Sequence, residues 1–470
     1  MPTRILYWNI NNFSLPKIFS NTNPALAAEA TSRRNEIVNN VVVAAAPQIF
    51  IIVEVYSRIR EVGFEGSVLG SGRTAGSGAL RLLYRIRGIL GNNWALVPPL
   101  NLGELGQREA VAVYYNAATL QFMGPNIWYR RWPGTGIGQA QPIGPGTQND
   151  IIDYPTNWRR CLPFLGNPIG PVFNRHANFV VAGVPVAVPE CQLAGQWEYY
   201  NPGVARPIPS PIPPPYAPGR LFFPNADCRG PFWTSFNELA TGRTLNLFTV
   251  HTSPSTARQA IWSMQQAAEL SGAPQPNEVK VVLGDFNADP YGANAHAYNW
   301  MIVAPGNYTM ELDPRDNTGV VNPNRKPYLM THLLPTVDAT PYNPGVGPPD
   351  PQQNVYPRFG YMGSSFPQIN DAGAIDNFFT WYGGGIGPPL VNNITIVNRI
   401  VGKPYNAVMP APPGVTVELT GGVAFAQGMN NAIPLPGGVA PGAPIPTFPN
   451  WNNYGKFRSI SDHLPLLLDV

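Results

Sequence analysis

The sequence predicts an α+β fold in which strands outnumber helices, and three observations carry that prediction. Apolar runs such as IFIIVEV, REAVAVYYN and VVLGDF have the length of single strands and end in turn residues. The 55 prolines and 47 glycines, together more than a fifth of the 470 residues, fall between these runs and favour many strands joined by long irregular loops. Only a few segments carry a helical period, which excludes an all-helical fold.

Taken in order, RILYWNINNF reads as a strand ending near Asn9. A helix is predicted from about 25 to 46, with Glu29, Arg33 and Arg34 outward and Pro47 as its stop. IFIIVEV follows as a strand buried on both faces, interrupted by a single acid, Glu54. A Gly/Ser-rich loop from Gly66 to Gly78 leads into ALRLLYRIRGIL, a short basic amphipathic helix, and REAVAVYYN is the next strand. Residues 120–219 change character. Pro, Gly, Asn and Trp dominate there, and PIPSPIPPP marks a stretch without a clear period, read as an ordered insertion with a disordered linker as the alternative.

Regularity returns with RTLNLFTVHTSPS, a strand delivering His251, then a helix from about 256 to 270 and the strand VVLGDFNADP. Its Gly284 permits an unusual backbone angle or a close approach, and residues two apart on an extended chain face one way, so Asp285 and Asn287 are expected to aim together. GAIDNFFTW offers a short strand carrying Asp376, a second loop-rich insertion spans 383–450, and FRSISDHLPLLLDV closes the chain with Asp462 and His463 before an apolar strand. The expected organisation is one catalytic domain over 1–470 containing both insertions.

Composition sets bounds on function. Apolar residues at 44% suffice for a full core, while charged residues at 12% are about half the usual share. The net charge of +3 neither argues for nor excludes a nucleic-acid partner; the clustering of the 30 Lys and Arg decides that. Cys161, Cys191 and Cys228 show no zinc spacing and are read as inert, with at most one disulfide. No stretch has the ~18 uninterrupted apolar residues of a membrane span. MPTRILYWNINNF lacks a secretory pattern, so cytoplasmic residence is the default expectation, with export by another route open.

The chemistry is concentrated in polar residues lodged in or beside apolar strands: Asn9, Glu54, Glu109, His251, Asp285, Asn287, Asp376, Asp462 and His463. A carboxylate on such a strand needs a partner, because burying it alone costs several kcal/mol, of the order of a typical protein's stability. Oxygen donors without cysteine suit a hard cation such as Mg²⁺ or Mn²⁺. The two histidines suit proton transfer when each is held by a carboxylate.

WNINNF, IIVEVY, QREAVAVYYN, TVHTSPS, GDFNADP, AIDNFF and SISDHLPL, in this order along the whole chain, resemble the motif series of the endonuclease/exonuclease/phosphatase superfamily, closest to its pancreatic-type deoxyribonuclease branch. The resemblance implies a four-layer α/β/β/α sandwich of two mainly antiparallel sheets. It implies that Glu54 binds the metal with Asn9 and Asp462 beside it, and that Asp285 and Asn287 hold the scissile phosphate and the attacking water. His251 with Glu109 and His463 with Asp376 would be the catalytic pairs. Arg229 in RGPFW resembles a phosphate-contacting arginine, and Tyr291 a nearby substrate-side residue. Mg²⁺ or Mn²⁺ is the implied cofactor, Ca²⁺ an optional structural ion, and DNA the implied substrate; protein partners are not indicated.

Two departures qualify the substrate. Val-Tyr follows Glu54 where the pancreatic-type enzymes carry a minor-groove arginine, and AIDNFF lacks the Trp-Cys-Asp-Arg motif of inositol phosphatases. A sphingomyelinase-like phosphoesterase, a catalytically silent binder and a toxin-like effector are the alternatives. Residue by residue the structural readings are ordinary: Asn9 as a turn, Asp285 and Asp462 as caps, Glu54 as an outward acid on an edge strand. His176, His296 and His332 read as loop or surface residues.

Overall fold

A computed structural model describes residues 2–57, 75–97, 101–102, 108–124, 127–129, 151–153, 180–181, 184–185, 198–199, 222–223, 231–254, 257–265, 268–290, 295–304, 306–313, 331–332, 375–385, 394–401, 404–405, 415–421 and 459–470. Most of both expected insertions, the three cysteines, His176, Arg229 and Tyr291 lie outside the described residues.

In chain order the strands of the two main sheets are β1 (Arg4–Phe13), β2 (Ile49–Ser57), β3 (Trp94–Val97), β4 (Arg108–Asn116), β5 (Leu120–Gly124), β6 (Phe232–Glu238) and β7 (Thr244–His251). They continue with β8 (Glu278–Asp285), β9 (Thr309–Met310), β10 (Asp376–Tyr382), β11 (Ile394–Val401), β12 (Pro404–Tyr405), β13 (Val415–Gly421) and β14 (Leu466–Asp469). The first sheet runs β12-β13-β11-β14-β1-β2-β4-β3, with Asn101–Leu102 also pairing β4; the second runs β9-β10-β8-β7-β6-β5. Most pairings are antiparallel, but β1 with β2, β7 with β8 and β11 with β13 are parallel. Parallel neighbours need a crossover, and helices supply it between β1 and β2 and between β7 and β8.

The first crossover is the predicted helix. Asn23 caps α1 (Pro24–Asn35) by accepting a 2.8 Å bond from the Ala25 N–H, with Pro24 at the first position. The helix widens into a π-helical turn over Glu36–Val42, then runs on as Val43–Ala45 to a left-handed Ala46 before Pro47. The basic amphipathic stretch forms α2 (Ala75–Leu90), and the second crossover contains α3 (Ala257–Met264) and the short helix Ala268–Ser271.

Strand periodicity then sorts the side chains into layers. On β7 and β8, Leu245, Leu247, Val279, Val281 and Leu283 enter the core between the sheets. Phe248, Val250 and Val282 face the opposite way, onto Ala257, Ala260, Ile261 and Met264 of α3. The outer face of the first sheet is covered by Ile37, Val38, Leu82, Leu83 and Ile86 of the other helical layer. The result is the expected four layers. Among the described residues no helix is long and apolar enough to cross a membrane.

Candidate active site

The inter-sheet core is mostly apolar, interrupted by buried threonines such as Thr234 and Thr249 and by the Thr3–Glu238–Arg243 cluster, and its histidines and most of its acids gather at one rim. There the strand positions of the same parity turn polar: Asp285 continues the Val281, Leu283 face of β8, and His251 the Leu245, Leu247 face of β7. The register aligns them, with His251 opposite Asp285 and Asp285 opposite Asp376 on three adjacent strands. All three are buried. The parallel pairs bring the carboxyl ends of β7 and β8 to the same rim where β10 begins. Gly284 makes this row possible. Its φ is +143°, and a Cβ would lie 1.9 Å from the Val250 carbonyl oxygen, so the predicted close approach is present.

From the facing sheet, β1 brings Tyr7 and Asn9, which share one strand face. Glu54 sits in an irregularity of β2: pairing to β4 shifts between Ile52 and Val55, and Glu54 itself has φ +55°. A bulge re-aims one side chain without displacing the strand, at a backbone cost of about 1–3 kcal/mol for a non-glycine residue in that region. The edge-strand reading of Glu54 is excluded, because β2 lies between β1 and β4.

Two buried histidine–carboxylate pairs result. His251 Nδ1 is hydrogen-bonded to Glu109, and His463 Nδ1 lies 2.7 Å from Asp376 Oδ2. Both Nε2 atoms face the same carboxylate: Asp285 Oδ2 is 3.6 Å from His251 and 3.7 Å from His463. Glu54 Oε1 is 3.4 Å from His251 Nε2. The Asn9 amide donates to Glu54 Oε1 at 3.1 Å and to Asp285 Oδ2 at 3.0 Å, tying the two sheets together. Asp376 further accepts from Tyr7 Oη at 2.9 Å and Thr331 Oγ1 at 2.6 Å. Ser461 accepts the His463 N–H at 2.8 Å and donates to the Asn9 carbonyl, which locks the loop before β14 onto β1.

Two expectations need correction. Asn287 does not share an extended face with Asp285, because the strand ends at Asp285 and Asn287 has φ +46°. Its N–H instead caps Asp285 Oδ1 at 2.8 Å, while its amide donates to the Thr252 carbonyl at 2.8 Å. Asp462 is near enough to Glu54 for its charge to act on that carboxylate, and the Asn11 amide donates to both Asp462 oxygens at 3.1 and 3.0 Å. His332 is no ordinary loop residue: its ring stacks on His463 with centroids 4.6 Å apart and planes at 16°, and its Nε2 is 3.8 Å from Asp462 Oδ2.

Sequence reasoning also missed Tyr7, Asn11 and Thr331. Tyr7 had a signal, since it lies two residues before Asn9 on the same strand face. Thr331 and His332 had none nearby; they reach the site through a bridge between His332 and His463 and the 2.7 Å bond from Leu464 N–H to the Thr331 carbonyl.

Burial works against charge on His463, but Asp376 and Asp285 outweigh it and lift its pKa from 6.5 to about 10, so the ring is cationic at neutral pH. Burial raises Asp285, with Asp376 adding to the rise and the two histidines opposing it. Glu54 is also penalised by burial, yet His251, His463 and Asn9 bring it below its ordinary value.

The donor set fits a hard divalent cation. Ligand atoms of Glu54, His251 and Asp285 lie within 4.8 Å of one another, and oxygens predominate around them. Asn9 Oδ1 is buried without a partner. Half a turn of that amide would direct this oxygen, in place of Nδ2, at the space between Glu54 and Asp285.

No protein-family model matches the sequence, and no curated protein does. Solved structures are similar to the chain over nearly its full length at low identity. An endonuclease/exonuclease/phosphatase family protein from Leptotrichia buccalis aligns at 10% identity, covering 99% of this chain and 98% of that one, with a TM-score of 0.40. TDP2 of D. rerio, humanized by 14 mutations, aligns at 9% identity over 99% and 97% of the two chains, with a TM-score of 0.37. A mannosyl-6-phosphatase from Bacteroides thetaiotaomicron is similar at 10% identity over 99% and 98%, with a TM-score of 0.36.

Proposed function

We propose that the chain is a divalent-metal-dependent phosphodiesterase of the endonuclease/exonuclease/phosphatase superfamily, and that it is an endonuclease cutting DNA with little sequence preference. One observation carries this reading: a single buried carboxylate, Asp285, is flanked at 3.6 and 3.7 Å by two imidazoles, each anchored at Nδ1 by a carboxylate of its own. Anchoring fixes each ring and leaves Nε2 as the working atom. Such a site can accept a proton from water at one position and supply one at another, on either side of a phosphorus centre.

In this mechanism Asp285, capped by the Asn287 N–H, orients and deprotonates the attacking water. The His463 imidazolium donates to a phosphoryl oxygen, where negative charge builds in the transition state; as the water oxygen bonds to phosphorus the P–O bond to the leaving group breaks, and the departing oxygen takes a proton from solvent. His251, held by Glu109, is the second imidazole facing the phosphate. Glu54, Asn9 and Asp462 would hold Mg²⁺ or Mn²⁺, which when bound neutralises charge on the phosphate. Arg229 and Tyr291 complete the proposal as substrate-side contacts.

The test incubates the purified chain with supercoiled plasmid, single-stranded DNA, RNA, sphingomyelin and inositol phosphates, with Mg²⁺, with Mn²⁺ and with EDTA. Nicking of plasmid that EDTA and His251→Ala both abolish is expected. Rates should fall between low and ~200 mM salt, because phosphate contacts dominate polyanion binding. Hydrolysis of sphingomyelin or inositol phosphates with DNA left intact would overturn the nuclease assignment, and no hydrolysis at all would overturn the enzyme.

A further inference from the structure

The helical layer over the first sheet carries arginines that the proposed chemistry does not use. Arg34 lies in the last turn of α1, and Arg81 and Arg85 are one turn apart on a single face of α2. They are neighbours: burial first, then the charges of Arg85 and Arg81, pull the Arg34 guanidinium below its ordinary pKa. Arg81 is fixed over the Phe19 ring, its Cζ 4.4 Å from the centroid. The Nε atoms of Arg34 and Arg85 are buried without a hydrogen-bond partner. No ion pair joins any of the three to a carboxylate among the described residues.

Like charges gathered without counterions, with N–H groups withdrawn from water, are unfavourable until an anion with several acceptor oxygens arrives. The position is informative too. Helix α2 rests against the segment after β1: a Cβ on Gly78 would lie 2.8 Å from the Leu15 N–H nitrogen, just beyond Asn11 and Asn12. On the other side, Arg33 Nε donates to Ser459 Oγ at 3.2 Å, three residues before Asp462. Both segments that border the arginines lead into the rim of the candidate site.

We propose that Arg34, Arg81 and Arg85 form a second anion site, which grips a phosphodiester of the same polynucleotide away from the bond being cut. This rests on the nuclease reading. Guanidinium forks match the paired oxygens of a phosphodiester, and a contact made at a distance from the scissile bond tightens binding of long substrates without touching the chemistry.

The experiment measures anisotropy of a short fluorescein-labelled DNA duplex with the full chain in EDTA, across a salt series. It compares wild type, Arg81→Gln/Arg85→Gln and Arg81→Glu/Arg85→Glu, with circular dichroism as the folding check. The glutamine variant should weaken binding several-fold and reduce the slope of log K against log salt by about 1, the loss of one phosphate contact. The glutamate variant should bind still more weakly. Hydrolysis of bis(p-nitrophenyl) phosphate with Mn²⁺ should stay at the wild-type rate. Unchanged affinity and slope would overturn the proposal, as would a wild type that does not bind the duplex. A wild type that binds with the full slope but cuts nothing leaves the arginine site standing and removes the nuclease. A wild type that cuts DNA while both variants bind normally does the reverse.

Discussion

Glu311 offers a test of the electrostatics that is independent of any activity. It is buried beside β9, its N–H donates to the Phe378 carbonyl at 2.9 Å, and its carboxyl accepts from Thr380 Oγ1. Among the described residues no cation stabilises its charged form; burial raises its pKa from 4.5 to about 7, with the Thr380 hydroxyl opposing the rise. The native protein therefore holds this proton where the unfolded chain has lost it. The stabilisation is fully present below about pH 4.5 and disappears as pH rises through about 7. A shift of about 2.5 units corresponds to roughly 3 kcal/mol.

Glu311→Gln replaces the neutral acid with a group of the same shape that cannot ionise. Urea denaturation of both proteins from pH 4 to 8 isolates this residue, since every other titration is common to the two curves. They should be nearly equal in stability near pH 4, and the variant should gain steadily to roughly 3 kcal/mol over wild type by pH 8. A stability difference that stays flat with pH would refute the reasoning.

Gly284→Ala should destabilise the protein by several kcal/mol or prevent folding, because a Cβ there meets the Val250 carbonyl at 1.9 Å and φ is +143°; thermal melts check it. Asp376→Asn should lower the rate of phosphodiester hydrolysis by about 10²–10⁴, since an amide cannot accept from Tyr7, Thr331 and His463 together; a change under threefold in a folded variant would count against the pairing. His332→Ala should lower kcat more than it raises KM by uncovering the ring of His463, and His332→Phe should recover most of the loss; a phenylalanine variant as slow as alanine would rule out stacking as the role.

Much of the site could be located from sequence because its residues stand where strands stop. VVLGD, TVH and SDHLP each announce a polar group at the end of an apolar run, and strand parity fixes its face. What could not be read is how the two sheets meet. Tyr7 and Asp376 are 369 positions apart, and their bond exists only because β1 crosses over β10 at the rim. The bulge at Glu54 depends on the registers of β1 and β4 at once, which no window of IFIIVEV contains. Asn287 misled for a local reason: the period-2 rule was carried two residues past the strand's end, into a turn. His332 looked isolated because its neighbours in sequence say nothing of the imidazole it stacks on.

The charge balance of the rim bears on why a divalent cation belongs there. Among the described residues, five carboxylates, Glu54, Glu109, Asp285, Asp376 and Asp462, meet three imidazoles, His251, His332 and His463. Even with every imidazole protonated, five less three leaves two negative charges. Glu109 and Asp376 are each matched to a histidine, so the surplus lies among Glu54, Asp285 and Asp462, where the amides of Asn9 and Asn11 supply dipoles but no charge. Buried like charges at these separations are relieved either by a proton or by a cation. Burial favours a proton on Asp285, the carboxylate that both imidazoles face, and such a proton would remove the base of the proposed reaction. A divalent cation beside Glu54 supplies two positive charges and leaves Asp285 ionised, so the arrangement that balances the rim is also the one that keeps its base available.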